Sequence, residues 1–235
     1  MPVKPGLSAY VCAVAFLQVV LLAGCNQTDV ANRAEATQNV QIAAVPVDVK
    51  GPERLILAFG DSLYAGYGLK RGESMPAHVE TLLRQRGINA KIVNAGVSGD
   101  TTSAGRKRLT FALDNLPRKP DLVMLGLGGN DVLRQIPVAE TRANMVAMLD
   151  ELRRRDIPVV LTGMRAPPNL GPDYAGQFDT MYPQLARKYR TELDPFVLAG
   201  VLGDRRLMLP DGIHPNISGI DVMATRIAPI VARRL

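Results

Sequence analysis

Leu55-Ile56-Leu57-Ala58-Phe59 is a run of five apolar residues that breaks at once into Gly60-Asp61-Ser62-Leu63. A short continuous apolar run closed by a turn predicts a fully buried strand rather than a half-exposed one. The turn leaves a serine hydroxyl at the strand's carboxyl end, the edge at which open parallel sheets bind their ligands. Taken alone, Gly-Asp-Ser is an ordinary way to end a strand. Its meaning depends on what the rest of the chain brings to the same edge.

Downstream, strand and helix signals alternate. A helix is expected over Ser74 to Arg86, with Val79, Leu82 and Leu83 on its apolar face and Gly87 as its stop. A second strand spans residues 90 to 95 and runs into Gly96-Val97-Ser98-Gly99-Asp100-Thr101, before a helix that reaches about Leu116. The third strand, Asp121 to Leu125, ends in Gly126-Leu127-Gly128-Gly129-Asn130-Asp131. A helix over Val138 to Arg155, a strand over Ile157 to Thr162, a helix near Tyr174 to Tyr189 and a weak fifth strand near Pro195 to Leu198 follow. Asp211-Gly212-Ile213-His214-Pro215-Asn216 then precedes a last helix with Ile217, Ile220, Ala224, Ile227 and Val231 spaced in threes and fours. This alternation predicts an α/β fold: a flavodoxin-like, doubly wound, five-stranded parallel sheet with helices on both faces. Residues 53 to 235 form one domain of this kind.

The chain begins differently. After Lys4 comes an uncharged, mostly apolar run to Ala23, too short and too lightly flanked for a transmembrane anchor, so residues 1 to 24 read as a secretory signal. Leu22-Ala23-Gly24-Cys25 resembles a lipobox, in which Cys25 is lipidated and becomes the mature amino terminus. The two cysteines are Cys12, inside the removed segment, and Cys25, so the exported chain carries neither a disulfide nor a free thiol. Residues 25 to 52 are polar and Ala-rich and read as a flexible tether spanning roughly 30 Å. By resemblance to bacterial lipoprotein sorting, Asn26 favours the outer membrane over the inner.

Without residues 1 to 24 the chain has 27 basic and 22 acidic side chains, a net charge of +5. The clusters Arg106-Lys107-Arg108, Arg153-Arg154-Arg155 and Arg233-Arg234 read as solvated helix faces, since no aromatic residue interleaves with them, and no nucleic-acid partner is expected. His78 stands alone on its predicted helix, as a packed or surface residue, with no partner at metal spacing. The Gly126 to Gly129 turn is a poor dinucleotide fingerprint, because Asp131 occupies the position of the last glycine.

The predicted sheet gathers Ser62, Gly99, Asn130 and the segment from Asp211 to His214 at one edge. A neutral serine needs a base in reach, and the chain has two histidines, His78 and His214. His214 is better placed: Asp211 lies three residues away, able to take the Nδ1 proton and leave Nε2 for the serine, while Pro215 keeps His214 out of helical geometry. The backbone N–H groups of Ser62 and Gly99 and the side-chain amide of Asn130 are the candidate donors to a developing oxyanion.

With these residues in place, the chain resembles the SGNH hydrolases of the GDSL esterase family, in their bacterial periplasmic thioesterase, lysophospholipase and arylesterase branch. The four blocks of that family are matched in order by Gly60-Asp61-Ser62-Leu63, Ser98-Gly99-Asp100-Thr101, Gly128-Gly129-Asn130-Asp131 and Asp211-Gly212-Ile213-His214-Pro215. The resemblance implies Ser62 as nucleophile, Gly99 and Asn130 as oxyanion donors and Asp211 and His214 as the rest of a triad. It implies hydrolysis of carboxylic esters or thioesters, from aryl and short to medium acyl esters to acyl thioesters and lysophospholipids, with no metal or cofactor. Carbohydrate O-acetyl ester hydrolysis and acyl transfer use the same residues, and a non-catalytic acyl-binding lipoprotein is a further alternative. Departures from the family lie in Val132 to Pro137 and Met164 to Leu170, so the expected pocket comprises Asp61, Leu63, Val132, Leu133, Met164, Ala166, Pro167 and Ile213. The expected partners are a small acyl substrate and, through Cys25, a membrane; a monomer is the default.

Overall fold

The computed structural model of the chain describes residues 48–235. The expected leader over residues 1 to 24, the lipidation at Cys25 and the tether as far as residue 47 lie outside the described residues.

Five strands, β1 (Arg54–Gly60), β2 (Ala90–Gly96), β3 (Leu122–Gly126), β4 (Val159–Thr162) and β5 (Glu192–Asp194), pair in parallel in the order β2-β1-β3-β4-β5. This is the expected flavodoxin-like order, whose switch point lies between β1 and β3. The helices are α1 (Ser62–Ala65), α2 (Met75–Gln85), α3 (Thr102–Asp114), α4 (Gly129–Leu133), α5 (Val138–Arg154), α6 (Pro172–Tyr189) and α7 (Ile217–Ala232). Because side chains alternate along a strand, β1 feeds two cores. Leu57 and Phe59 join Leu109, Met145, Leu149 and Phe178 beneath α3, α5 and α6, whereas Ile56 and Ala58 join Val79, Leu83, Ile220 and Ile227 beneath α2 and α7. Burying a side chain such as Leu57 or Phe59 contributes about 2 kcal/mol, and every residue from Leu55 to Phe59 is at most 1% exposed. The apolar run at the start of the domain is thus the strand shared by both layers.

The ends of the three central strands are shaped for a close approach. Gly60 pairs in register with Gly96 on one side and Gly126 on the other. A Cβ at Gly60 or Gly126 would collide with the Tyr64 ring, and one at Gly96 with the backbone of Tyr64 and Ala65. Three glycines in a row across the sheet let α1 settle directly on the strand ends, where Tyr64, 1% exposed, shares a 2.9 Å hydrogen bond with Thr162 Oγ1. That contact fixes the height of Ser62 above the sheet.

Three local expectations are corrected. The fifth strand is Glu192–Asp194, not Pro195 to Leu198: Pro195 has no N–H to extend the ladder, and Val197 and Leu198 are buried in the turns that follow. Asp194 at its end is 1% exposed and receives a bidentate pair from Arg226 of α7 at 2.9 and 3.1 Å. The Gly-bearing stretch from Tyr64 to Gly72 reads from its sequence as a loop, but Tyr64 and Ala65 complete α1, so the loop begins two residues later. Arg108 is not part of a solvated face: its guanidinium lies 3.9 Å over the Phe59 ring and donates to the carbonyls of Gly60 and Ala95 at 2.9 and 2.8 Å. His78 is packed, as expected, 7% exposed with its Nδ1 2.7 Å from Asp221 of α7.

Candidate active site

Ser62 stands at the first position of α1, immediately beyond β1. Asp61 caps that helix by accepting the Leu63 N–H on Oδ1 at 3.0 Å, as short N-cap carboxylates do. Burial pushes the Asp61 carboxyl up to about 6; the Leu63 N–H and the neighbouring His214 draw it back down, and Asp100 and Asp131 add to the rise. Ser62 itself is 9% exposed, with its hydroxyl turned to His214.

His214 arrives from the far end of the chain. Met208 and Pro215 form an isolated antiparallel bridge, Leu209 N–H donates to the His214 carbonyl at 2.7 Å, and Asn216 caps α7 through its bond to Gly219 N–H at 3.1 Å. The loop is therefore tied at both sides of the imidazole. Nε2 lies 2.9 Å from Ser62 Oγ and Nδ1 lies 2.6 Å from Asp211 Oδ2. The other Asp211 oxygen accepts the backbone N–H of Ile213 at 2.9 Å and of His214 at 3.0 Å. The His214 N–H, the His214 imidazole and the Ile213 N–H, in that order of effect, hold the Asp211 carboxyl down at about 2. An ionised carboxylate can only accept, so Nδ1 carries the imidazole proton and Nε2 is left as acceptor for the Ser62 hydroxyl. The arrangement can withdraw a proton from Ser62 as its oxygen attacks an electrophile.

Gly99 and Asn130 follow β2 and β3, the two strands flanking β1. Gly99 has φ +85°, a backbone state that favours glycine, and is exposed. Its loop is held from three sides: Arg108 pairs with Asp100, Asn130 Nδ2 donates to the Asp100 carbonyl at 2.9 Å, and Arg134 donates to the Gly99 carbonyl at 3.0 Å. The Asn130 amide has two N–H groups, so one remains for a ligand. Asp131, fully buried, accepts from Thr102 N–H at 2.8 Å and from the hydroxyls of Thr102 and Thr141, which ties α4 to α3 and α5.

The expected pocket residues divide. Asp61, Leu63 and Met164 line one small cavity of about 10 Å³ with Gly129, Thr162 and Val197, room for one water and no more. Val132 and Ala166 are buried in the core on the α5 and α6 side, while Pro167 opens the 3-10 turn Pro168–Leu170. Leu133 is 57% exposed and Ile213 46% exposed. Two side chains, Tyr67 against the relay and Arg108 beneath the Gly99 loop, escaped the reading of the sequence. Tyr67 lies against His214 with ring centroids 4.3 Å apart. Arg108 was masked by its basic neighbours, whereas the flanking Gly66 and Gly68 are the sequence signal that points to Tyr67. Among the described residues no group of three or more His, Cys, Asp or Glu side chains could hold a metal ion.

Comparison with known proteins bears on the same segments. Esterase TesA of Pseudomonas aeruginosa is 36% identical over 177 residues, covering 75% of this chain and 87% of that protein. The arylesterase of Vibrio mimicus is 37% identical over 161 residues, 68% of this chain and 80% of its own length. The crystal structure of AlinE4, an SGNH-hydrolase family esterase, is 53% identical and superposes with a TM-score of 0.68, covering 79% of this chain and 98% of that one. The sequence profile of the GDSL-like Lipase/Acylhydrolase family matches residues 58–222, a span that runs from inside β1 into α7 and takes in all four turns of the site. By that match and those identities, the chain belongs to the GDSL-like lipase/acylhydrolase family.

Proposed function

We propose that the chain is a serine esterase that hydrolyses carboxylic ester or thioester bonds through a Ser62-His214-Asp211 triad. The observation that carries this reading is the unbroken relay from Ser62 Oγ to His214 Nε2 at 2.9 Å and from Nδ1 to Asp211 at 2.6 Å. Its family membership and the names of its relatives, esterase, arylesterase and thioesterase 1/lysophospholipase L1, support it.

In the first half of the cycle Ser62 Oγ bonds to the acyl carbon while its proton passes to His214 Nε2. The carbonyl oxygen takes the negative charge, facing the N–H groups of Ser62 and Gly99 and the free Asn130 N–H. As the tetrahedral centre collapses, the bond to the leaving alcohol or thiol breaks and that group takes the proton from Nε2. Water then attacks the acyl-enzyme by the same route, its proton going to Nε2 and from there back to Ser62. Asp211, ionised throughout, keeps the imidazole in the tautomer the cycle needs and faces the positive charge that forms on it.

The test is a panel of aryl acetates, longer aryl esters, acyl thioesters, lysophospholipids and acetylated sugars, together with a fluorophosphonate that labels reactive serines. Turnover of the aryl esters with a single adduct at Ser62 is expected. Activity confined to acetylated sugars would move the chain to the carbohydrate O-acetylesterases, and binding of acyl ligands without turnover or labelling would overturn an enzymatic role.

We also propose export and lipid anchoring: signal cleavage before Cys25, lipidation there, and retention by the outer membrane through the tether. The small residues ahead of Cys25 and the polar segment after it support this reading. Cell fractionation is expected to find the wild type in outer-membrane material and Cys25→Ser in the soluble fraction; inner-membrane retention of the wild type would refute the sorting, and identical behaviour of the variant the anchor.

A further inference from the structure

The relay leaves one motion of His214 unrestrained by hydrogen bonds. Its contacts, Asp211 at Nδ1 and Ser62 at Nε2, lie at the two ring nitrogens and define an axis through the imidazole. Displacement of the ring along its normal is transverse to both contacts and changes neither distance at first order, yet it tilts the Nε2 lone pair away from Oγ. A hydrogen bond weakens steeply with such misalignment. Besides the covalent link through Cβ, what resists such a displacement is a body against the face of the ring.

Tyr67 is that body. Its ring lies 4.3 Å from the His214 ring, centroid to centroid, at an interplanar angle of 31°. The local chain is built to put it there: Tyr67 N–H donates to the Ser62 carbonyl at 3.2 Å, and the residue sits between Gly66 at φ +81° and Gly68 at φ +74°. Two left-handed positions in three residues turn the backbone back over α1. A Cβ at Gly68 would strike Leu209, the residue whose N–H holds the His214 carbonyl, so the Tyr67 turn and the His214 loop are packed on each other. Yet Tyr67 is 51% exposed, far more than stability of the core would ask of a tyrosine.

We infer that Tyr67 is a positioning residue for the base: its ring backs one face of the His214 imidazole, keeping Nε2 aligned on Ser62 Oγ, and, through its π face, favours the imidazolium that forms as Ser62 attacks. This inference rests on the reading of Ser62 and His214 as nucleophile and base. Both effects act in the transition state rather than on substrate binding, so they belong to kcat and not to KM.

The experiment compares wild type, Tyr67→Ala, Tyr67→Leu and Tyr67→Phe for hydrolysis of p-nitrophenyl acetate and for the second-order rate of fluorophosphonate labelling. Tyr67→Ala is expected to lower kcat and the labelling rate about tenfold, the scale of a small misplacement of a reacting group, with KM unchanged. Tyr67→Phe, which keeps the ring and discards the hydroxyl, should restore both. Tyr67→Leu fills the space without a π face and should restore them in part; it also provides the test should the alanine variant fail to fold. A raised KM with kcat retained would make Tyr67 a substrate contact and overturn the inference, as would equal labelling rates in all four proteins or a phenylalanine variant as impaired as the alanine one. No labelling of the wild type would instead overturn the assignment of Ser62.

Discussion

Ser62→Ala is expected to abolish ester hydrolysis while leaving the fold intact. The substitution removes one oxygen and nothing else: the backbone N–H at residue 62 stays at the start of α1, and Asp61 still caps the helix through Leu63. Ser62 Oγ makes its described contact to His214 Nε2, a nitrogen that water can reach once the hydroxyl is gone, so no buried group is stranded. Stability should change by less than about 1 kcal/mol, since the substitution removes a single oxygen and strands no partner. For a triad nucleophile the loss of kcat is on the order of a millionfold, because the remaining donors and binding groups cannot replace the covalent route. Burst release of p-nitrophenolate and the fluorophosphonate adduct should vanish together. A variant that keeps full turnover of an aryl ester would remove Ser62 from the mechanism and, with it, the meaning given to the 2.9 Å contact.

Where a side chain's environment follows from its near neighbours in sequence, the reading of the chain held. Leu55 to Phe59 has to be a buried strand because nothing in it tolerates water, the parallel sheet follows from alternation of strand and helix, and five such strands suit the observed order β2-β1-β3-β4-β5. The relay was legible for a related reason: Asp211 and His214 are three residues apart, and a Pro after the histidine keeps the segment out of a helix, so their contact is almost local. The misplaced fifth strand shows the opposite case. Glu192-Leu193-Asp194 carries one apolar residue in three, and its strand is set by hydrogen bonds to β4 and by the Arg226 pair from α7, none of which leaves a trace in the segment itself. Apolar Val197 and Leu198 attracted the assignment, but their burial is reached through turns.

Arg108 and Tyr67 escaped for the same physical cause. Each owes its place to a partner remote in sequence: Arg108 to the carbonyls of Gly60 and Ala95 and the ring of Phe59, Tyr67 to His214 at the other end of the chain. The row formed by Gly60, Gly96 and Gly126 is a third such feature, because each glycine reads as a turn signal in its own segment and becomes a shared seat for Tyr64 only when the strands are laid side by side. The four turns mark the candidate site; the packing beneath them, which sets the height and tilt of its side chains, is tertiary and appears only in the assembled sheet.

Asp211→Asn should be the second most damaging change, and for a reason that separates orientation from charge. The carboxylate accepts three hydrogen bonds, two on Oδ1 from the backbone N–H groups of Ile213 and His214 and one on Oδ2 from His214 Nδ1. In the asparagine variant the carbonyl oxygen can keep both backbone bonds, so the loop stays in place and the amide nitrogen falls opposite Nδ1. That nitrogen can only donate. The imidazole must then accept at Nδ1 and carry its proton on Nε2, where it points at Ser62 and leaves the hydroxyl with no base. A drop in kcat on the order of 10⁴-fold at neutral pH is the scale for such a wrong tautomer, with KM little changed. Asp211→Ala differs, since it releases the two backbone N–H groups as well and should also loosen the loop. The tautomer can be read directly: the chain has two histidines, so nitrogen NMR of labelled protein gives few imidazole signals, and a His78 variant assigns them. The protonated ring nitrogen of His214 is expected to be Nδ1 in the wild type and Nε2 in Asp211→Asn. If the variant keeps the proton on Nδ1 and still loses activity, Asp211 acts through its charge on the imidazolium rather than through the tautomer; if it keeps both the proton and the activity, Asp211 has no part in the reaction.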